Sequence, residues 1–195
     1  MVRGLFAISE RDRVLDTLDQ SIVFVTSGNI EALLMMGCFD TTAWDLANLY
    51  LASVGADLLG PSAPRIVGLS AGATCYVSPE YFDGDDTFAD AVVHEAAHLL
   101  HNCKRRTVGL RETRAREWLL PIDYRKRETF AYSCEAYARI LERAHSRSER
   151  QSLACEFASV VTISDDRVDA AEVVDIVSAA ASARNGWKVI HASCA

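Results

Sequence analysis

The sequence predicts an α+β fold, mainly helical, arranged as a single domain over residues 1–195. Three observations carry that prediction. Apolar side chains recur at helical spacing through most of the chain, and short β-branched runs bounded by turn residues stand in its first eighty residues. Near the middle stands FADAVVHEAAHLLH, residues 88–101, an apolar helical stretch that carries three histidines and a glutamate. Half of the residues are apolar and about a quarter are charged, which is the balance of a globular chain with a substantial core.

The elements follow in order. Residues 5–19 read as a short helix or lead-in with Ser9 as N-cap. Residues 21–26, SIVFVT, are a strand closed by Ser27-Gly28-Asn29, and residues 30–36 a short helix that Gly37 ends. Asp40-Thr41-Thr42 caps a second helix over 43–59, where Trp44, Ala47, Leu51, Val54 and Leu58 keep helical spacing. Trp44 and Tyr50 are expected in the core. Strands at 65–69 and 74–78 flank the turn residues Ser70-Ala71-Gly72-Ala73 and pair as a hairpin directly before the central helix. Pro79 blocks extension of the second strand. Glu80, Asp83, Asp85, Asp86 and Asp90 mark a solvated acidic loop, in which Asp83-Gly84-Asp85-Asp86 lacks the later ligands of a calcium loop. Asp85, Asp86 and Thr87 are the candidate caps of the central helix. A long helix is expected over 122–144, with Phe130, Ala131, Cys134, Tyr137, Ala138 and Leu141 inward. Helices at 153–163 and 168–183 follow; Asn185-Gly186 ends the last, and Trp187-Lys188-Val189-Ile190 is a short terminal strand or docking tail.

The chemistry concentrates in His94-Glu95-Ala96-Ala97-His98, an H-E-x-x-H. Residues four apart share a helical face, so both imidazoles point one way and can hold one Zn²⁺. Glu95 flanks that metal and is the candidate catalytic general base, taking a proton from a metal-bound water. Buried polar side chains in an apolar helix are costly unless something satisfies them, and a metal would do so. His101 shares the face but lies roughly 10 Å along the axis from His94, too far to join the same ion while the helix continues. The metzincin pattern fails, because His101 stands at its glycine position and Lys104 at its third histidine.

Glu128 and Glu135 lie seven apart on one flank of the inward stripe of the next long helix, and both match Glu-x-x-Ala. An H-E-x-x-H helix followed by a Glu-bearing helix with a small residue three positions on resembles the gluzincin type of zinc metallopeptidase. The resemblance covers roughly residues 65–145, with 1–64 and 146–195 as helical N-terminal and C-terminal extensions. It implies a zincin-like core, one Zn²⁺ held by His94, His98 and Glu128, and Glu135 as an orienting partner of a ligand histidine, with the roles of the two glutamates open to exchange. The acid that such enzymes usually carry four residues after the ligand is replaced by Tyr132 or Arg139. Tyr124, Tyr132 and Tyr137 are open candidates for stabilising an oxyanion.

The net charge of −7 does not favour nucleic-acid binding, and no apolar run is long enough to cross a bilayer. No signal-peptide core develops at the N-terminus, so a cytoplasmic protein is expected. Cys38, Cys75, Cys103, Cys134, Cys155 and Cys194 are scattered without C-x-x-C and are expected as reduced, mostly buried thiols. Residues 104–127 are strongly basic. They read as a solvated loop that offsets the acidic segments, or as a rim for a protein partner or acidic substrate. The sequence thus favours a zinc-dependent metallopeptidase acting on a peptide or protein. The alternative is a non-catalytic, zinc-containing binding or regulatory protein whose site Cys103 or Cys134 closes.

Overall fold

Ile22–Phe24 (β1), Gly68–Ala71 (β2) and Thr74–Val77 (β3) form one sheet in the order β1-β3-β2. The computed structural model describes residues 1–36, 40–83, 86–114 and 116–195, with Asp40 and Asp83 described by their backbone alone. Strand β3 runs parallel to β1, with Ile22 opposite Cys75, and antiparallel to β2, with Leu69 opposite Tyr76. The hairpin turns at Gly72, whose φ of +61° suits a residue without Cβ. Ser70 and Ala71, expected in the turn, belong to β2, and the strand starts at Gly68 rather than Arg65. Among the described residues β2 pairs on one side only.

The helices are α1 (Val2–Leu5), α2 (Ile8–Ser21), α3 (Ile30–Met35), α4 (Asp40–Ser53), α5 (Ala91–Asn102), α6 (Arg127–Arg143), α7 (Arg147–Val160), α8 (Ala170–Ser182) and α9 (Gly186–Cys194). The molecule is therefore mainly helical with a small three-stranded sheet. Helix α5 lies between the β2–β3 hairpin and α6, and α8 and α9 back α6 from behind. Ala96, Ala97, Ala131 and Cys134 are all buried in the shared core, and their small side chains let α5 and α6 approach closely. Leu99, Leu100, Leu119, Phe130 and Ile190 fill the rest of it. Each such side chain taken fully from water contributes roughly 1.5–3 kcal/mol before entropy is charged against it. A second cluster joins α6, α7 and α8 through Ile140, Phe157, Val173 and Val177, and a third joins α4 to the sheet through Val25, Leu46, Leu49 and Tyr76.

Several boundaries differ from the sequence reading for local reasons. Ala7, not Ser9, precedes α2, and no side chain caps that helix. Helix α4 ends six residues early: Gly55 takes φ +69°, and Gly55 N–H and Ala56 N–H reach back to Ala52 O and Leu51 O, the paired bonds of a Schellman stop. Trp44 is 39% exposed and lies over Gly60 rather than in the core, whereas Tyr50 does pack against the third cluster. Asp90 caps α5 by accepting from Val93 N–H at 3.0 Å, while Asp86 accepts from Phe88 N–H and Ala89 N–H in the turn before it. A 3-10 turn capped by Asp123 precedes α6, so α6 begins at Arg127. Ser146 caps α7, which runs six residues ahead of its expected start. Asn185 starts α9 instead of ending α8, its side chain accepting from Lys188 N–H. No strand forms at residues 187–190, because Trp187, Ile190 and Cys194 bury one helical face. The capping expectations for Gly37 and Asp85, the Asp40 side chain, much of the 83–86 acidic run and Cys38 lie outside the described residues and side chains. Cys75, Cys103, Cys134, Cys155 and Cys194 are free, all but Cys155 buried. No helix among the described residues is long and apolar enough to cross a membrane.

Candidate metal centre

Helix α5 turns His94 and His98 to one face, and their Nε2 atoms stand 3.1 Å apart. Helix α6 crosses that face and delivers Glu128 from its first turn. Glu128 Oε2 lies 3.2 Å from His98 Nε2 and 3.6 Å from His94 Nε2. Among the described residues these three are the group whose donor atoms could share one ion. Ligands of a tetrahedral Zn²⁺ at 2.0–2.1 Å stand about 3.3 Å from one another, so the spacing fits. The side chains keep 12–20% exposure, sheltered yet reachable from solvent.

The far sides of both imidazoles are held. His94 Nδ1 donates to Glu135 Oε2 at 2.9 Å. His98 Nδ1 lies 3.0 Å from His101 Nε2, and His101 Nδ1 lies 3.2 Å from Asn102 Oδ1. Asn102 Oδ1 can only accept, so the proton of His101 sits on Nδ1 and its Nε2 accepts from His98 Nδ1–H. Burial, reinforced by His98 and Arg127, drives the His101 pKa down to about 3 and keeps that ring neutral. Both ligand Nε2 atoms are thereby turned toward Glu128 Oε2. Burial alone would lower the His94 pKa, but the Glu128 and Glu135 carboxylates overturn it and raise it to about 10. Glu128, although burial opposes this, is held below the ordinary carboxylate range by His94 and His98.

Glu95 occupies a different place. It is 7% exposed and faces the hairpin, where Ser70 Oγ donates to its Oε2 at 2.6 Å. A Cβ on Gly68 would come within 2.6 Å of Glu95 Oε1, so only glycine leaves room for the carboxylate there. Cys75 Sγ donates to the Glu95 backbone oxygen at 3.2 Å. Of the three tyrosines, only Tyr132 borders the group, its ring edge-to-face with His94 at 4.7 Å. Its hydroxyl is pushed up to about 12, by burial first and then by Glu135, Asp165 and Glu128, and stays a donor. Tyr137 packs on Trp187 in the core, and Tyr124 is 80% exposed beside Arg127.

The C-terminal extension also reaches the group. Arg167 Nη2 lies 3.2 Å from Glu128 Oε1 and 2.6 Å from Asp165 Oδ2. The sequence reading missed Arg167, Asp165, Ser70, His101 and Asn102 as neighbours of the site. For His101 a signal existed, since it stands three residues after His98, but it was weighed only as a ligand. No spacing pointed to the others. In the basic stretch, Arg105 is 2% exposed and paired with Glu10, Lys104 meets Glu117 at 2.5 Å, and Arg106 and Arg116 approach Glu112 and Glu10. Arg105 therefore takes no part in a surface rim. Cys103 and Cys134 are buried in the core and stand outside the three-residue group. Comparison with protein-family models, with curated proteins and with solved structures finds no match to this chain.

Proposed function

We infer that the protein is a zinc-dependent hydrolase of the gluzincin type, with a zincin-like core and a peptide or protein as substrate. The observation that carries this reading is the convergence of His94 Nε2, His98 Nε2 and Glu128 Oε2 within 3.1–3.6 Å, with both imidazoles held from behind. Two imidazoles and a single carboxylate leave a tetrahedral ion one open position, as hydrolytic zinc sites require. When bound there, Zn²⁺ supplies Lewis acidity: it polarises a carbonyl and acidifies water.

The chain's own residues do the rest. Glu135 and His101 fix the ring orientations and the Nδ1–H tautomers of His94 and His98. Glu95 accepts the proton of the attacking water at Oε1 and returns it to the leaving amine, while Ser70 holds Oε2. Gly68 leaves the space in which Oε1 sits. Tyr132 offers its hydroxyl to the carbonyl oxygen as negative charge develops. The edge of β2 that is unpaired among the described residues aligns an extended peptide by strand addition. A closed structural site would need a fourth protein ligand, and the group holds none among the described residues, which favours the catalytic over the non-catalytic reading.

The test is metal content followed by turnover. Purified protein binds about one Zn²⁺ per chain, as the three-ligand site requires, and His98→Ala loses it. Glu95→Gln keeps the zinc but lowers hydrolysis of a mixed peptide library, read by mass spectrometry, by at least about 100-fold. Absence of zinc from the wild type after reconstitution would sink this reading, and so would full activity in the Gln variant.

A further inference from the structure

Residues 161–169 connect α7 to α8 and cross the same face of α6 that carries Glu128, Tyr132 and Glu135. At the Glu135 end this connector closes a cavity of about 190 Å³ lined by Phe88, Tyr132, Glu135, Phe157, Val161 and Ile163. An apolar cavity of about 150 Å³ is enough to accept benzene. Asp86 also borders it, with its Oδ1 accepting from Phe88 N–H and Ala89 N–H, while Glu135 Oε2 accepts from His94. Phe88, Phe157, Val161 and Ile163 form the apolar part of its wall, the part that an apolar side chain would meet.

At the Glu128 end the same connector presents Arg167. Asp165 accepts from both Nε and Nη2 of Arg167 and also from its backbone N–H, which fixes the guanidinium before any ligand arrives. Nη1 has no hydrogen-bond partner among the described residues, and the side chain is 70% exposed. Glu128 and Glu135 are seven residues apart, so cavity and guanidinium are separated by about 10 Å or less along α6. An extended peptide advances about 3.3 Å per residue, so one or two residues together with the reach of the side chain in the cavity cover that distance.

We propose that the α7–α8 connector is the substrate-recognition element of this site, its cavity taking a bulky apolar side chain and Arg167 a carboxylate one or two residues further along the same peptide. The inference rests on the hydrolase reading above and adds to it the substrate class. The two neighbouring carboxylates, Asp165 and Glu128, offset part of the guanidinium charge. The carboxylate contributes a preference of about tenfold rather than a thousandfold.

The test reads binding rather than turnover, on the full chain with zinc stoichiometry measured in the same sample. Calorimetric titration with N-acetyl-Phe-Ala is compared with its C-terminal amide, with N-acetyl-Ala-Ala, with N-acetyl-Lys-Ala and with N-acetyl-Phe-Glu-amide. The free acid is expected to bind about tenfold more tightly than its amide and than N-acetyl-Ala-Ala. Arg167→Gln should erase the acid–amide difference and keep the Phe–Ala difference. Ile163→Trp, which fills the cavity, should do the reverse. A merely structural role for either residue would weaken all ligands together. If N-acetyl-Phe-Glu-amide equals the free acid, the carboxylate comes from an acidic side chain; if it matches the plain amide, from a chain terminus. Both outcomes support the proposal. Equal binding of acid and amide by zinc-loaded wild type, or tighter binding of the Lys peptide, overturns it and leaves the metal centre standing. Failure to load zinc overturns the hydrolase reading itself.

Discussion

The pair formed by Glu10 and Arg105 and the group of His94, His98 and Glu128 both set ionisable side chains largely away from water, and they are balanced differently. Arg105 is met by a carboxylate and by Arg111 O, so cation and anion cancel within the protein. That pairing ties α2 to the basic loop, two segments far apart in sequence. At the other place His94 Nε2, His98 Nε2 and Glu128 Oε2 face one another within 3.6 Å, while both Nδ1 positions are engaged behind. The ion pair balances its charges by itself, although Glu10 Oε2 and Arg105 Nη1 carry no hydrogen bond among the described residues. A ligand site converges on a point that a positive charge must fill, a proton on His94 when no metal is bound. The difference between closed and open balance separates the two clusters more clearly than burial, which both share.

Metal withdrawal should break the comparison most forcefully. An ion at about a thousandfold its dissociation constant stabilises the protein by about 4 kcal/mol, or about 10 °C in Tm for a chain of this size. Thermal melts with and without a chelator should show that gap in the wild type and none in His98→Ala. Arg105→Met attacks the other cluster. It strands Glu10 in a site where its side chain keeps 14% exposure, and should cost about 3 kcal/mol with zinc affinity unchanged. Adding Glu10→Gln should recover more than half of that loss, measured by denaturant unfolding. A large change in zinc affinity in the Arg105 variant would show that the two clusters are coupled.

Protons sharpen the contrast. His94 is raised from 6.5 to about 10, so metal-stripped protein holds a proton there that the ion must displace. Zinc affinity should therefore rise about tenfold per pH unit between 7 and 9 and level off near 10. For the stripped protein the sign runs the other way. The stabilisation from a raised histidine is complete below 6.5 and is lost as pH climbs through about 10. Stripped protein should lose stability across that window, and Glu135→Gln should flatten the loss. A zinc affinity independent of pH from 7 to 9 would show that His94 is already neutral.

What could be read from the chain alone follows the range over which each interaction acts. The H-E-x-x-H helix, the hairpin before it and the Glu-bearing helix after it are local patterns of period 3.6 or 2, and all three form, with β2 starting at Gly68 and α6 at Arg127 rather than at the expected residues 65 and 122. Helix ends were read less well. Asn185 resembles a stop but acts as a cap, and Gly55 stops α4 by a backbone conformation that apolar spacing does not reveal. The parallel pairing of β1 with β3 joins segments fifty residues apart and has no local signature. The same holds for Arg167, which reaches Glu128 only because α7 and α8 fold back over α6. Ser70 was visible as a turn residue, and its hold on Glu95 depends on the hairpin packing against α5.

His101 shows that a residue excluded from one role by distance can still serve in another. Too far along α5 to meet the ion that His94 and His98 would hold, it stands one turn from His98, and its neutral ring accepts the His98 Nδ1 proton. It is 3% exposed and edge-to-face with His98 at 5.1 Å, so phenylalanine would keep the ring contact and remove the acceptor together with the donation to Asn102. His101→Phe should then leave Tm nearly unchanged in stripped protein, lower zinc affinity by about tenfold, and free the His98 ring to adopt the other tautomer. Nitrogen-15 shifts of His98 would report the tautomer directly. His101→Gln, whose amide oxygen can accept the same proton, should restore part of the affinity. If the Phe variant binds zinc as tightly as wild type, the hydrogen bond behind His98 is packing rather than orientation. Glu135 would then be the one partner that holds a ligand ring in place.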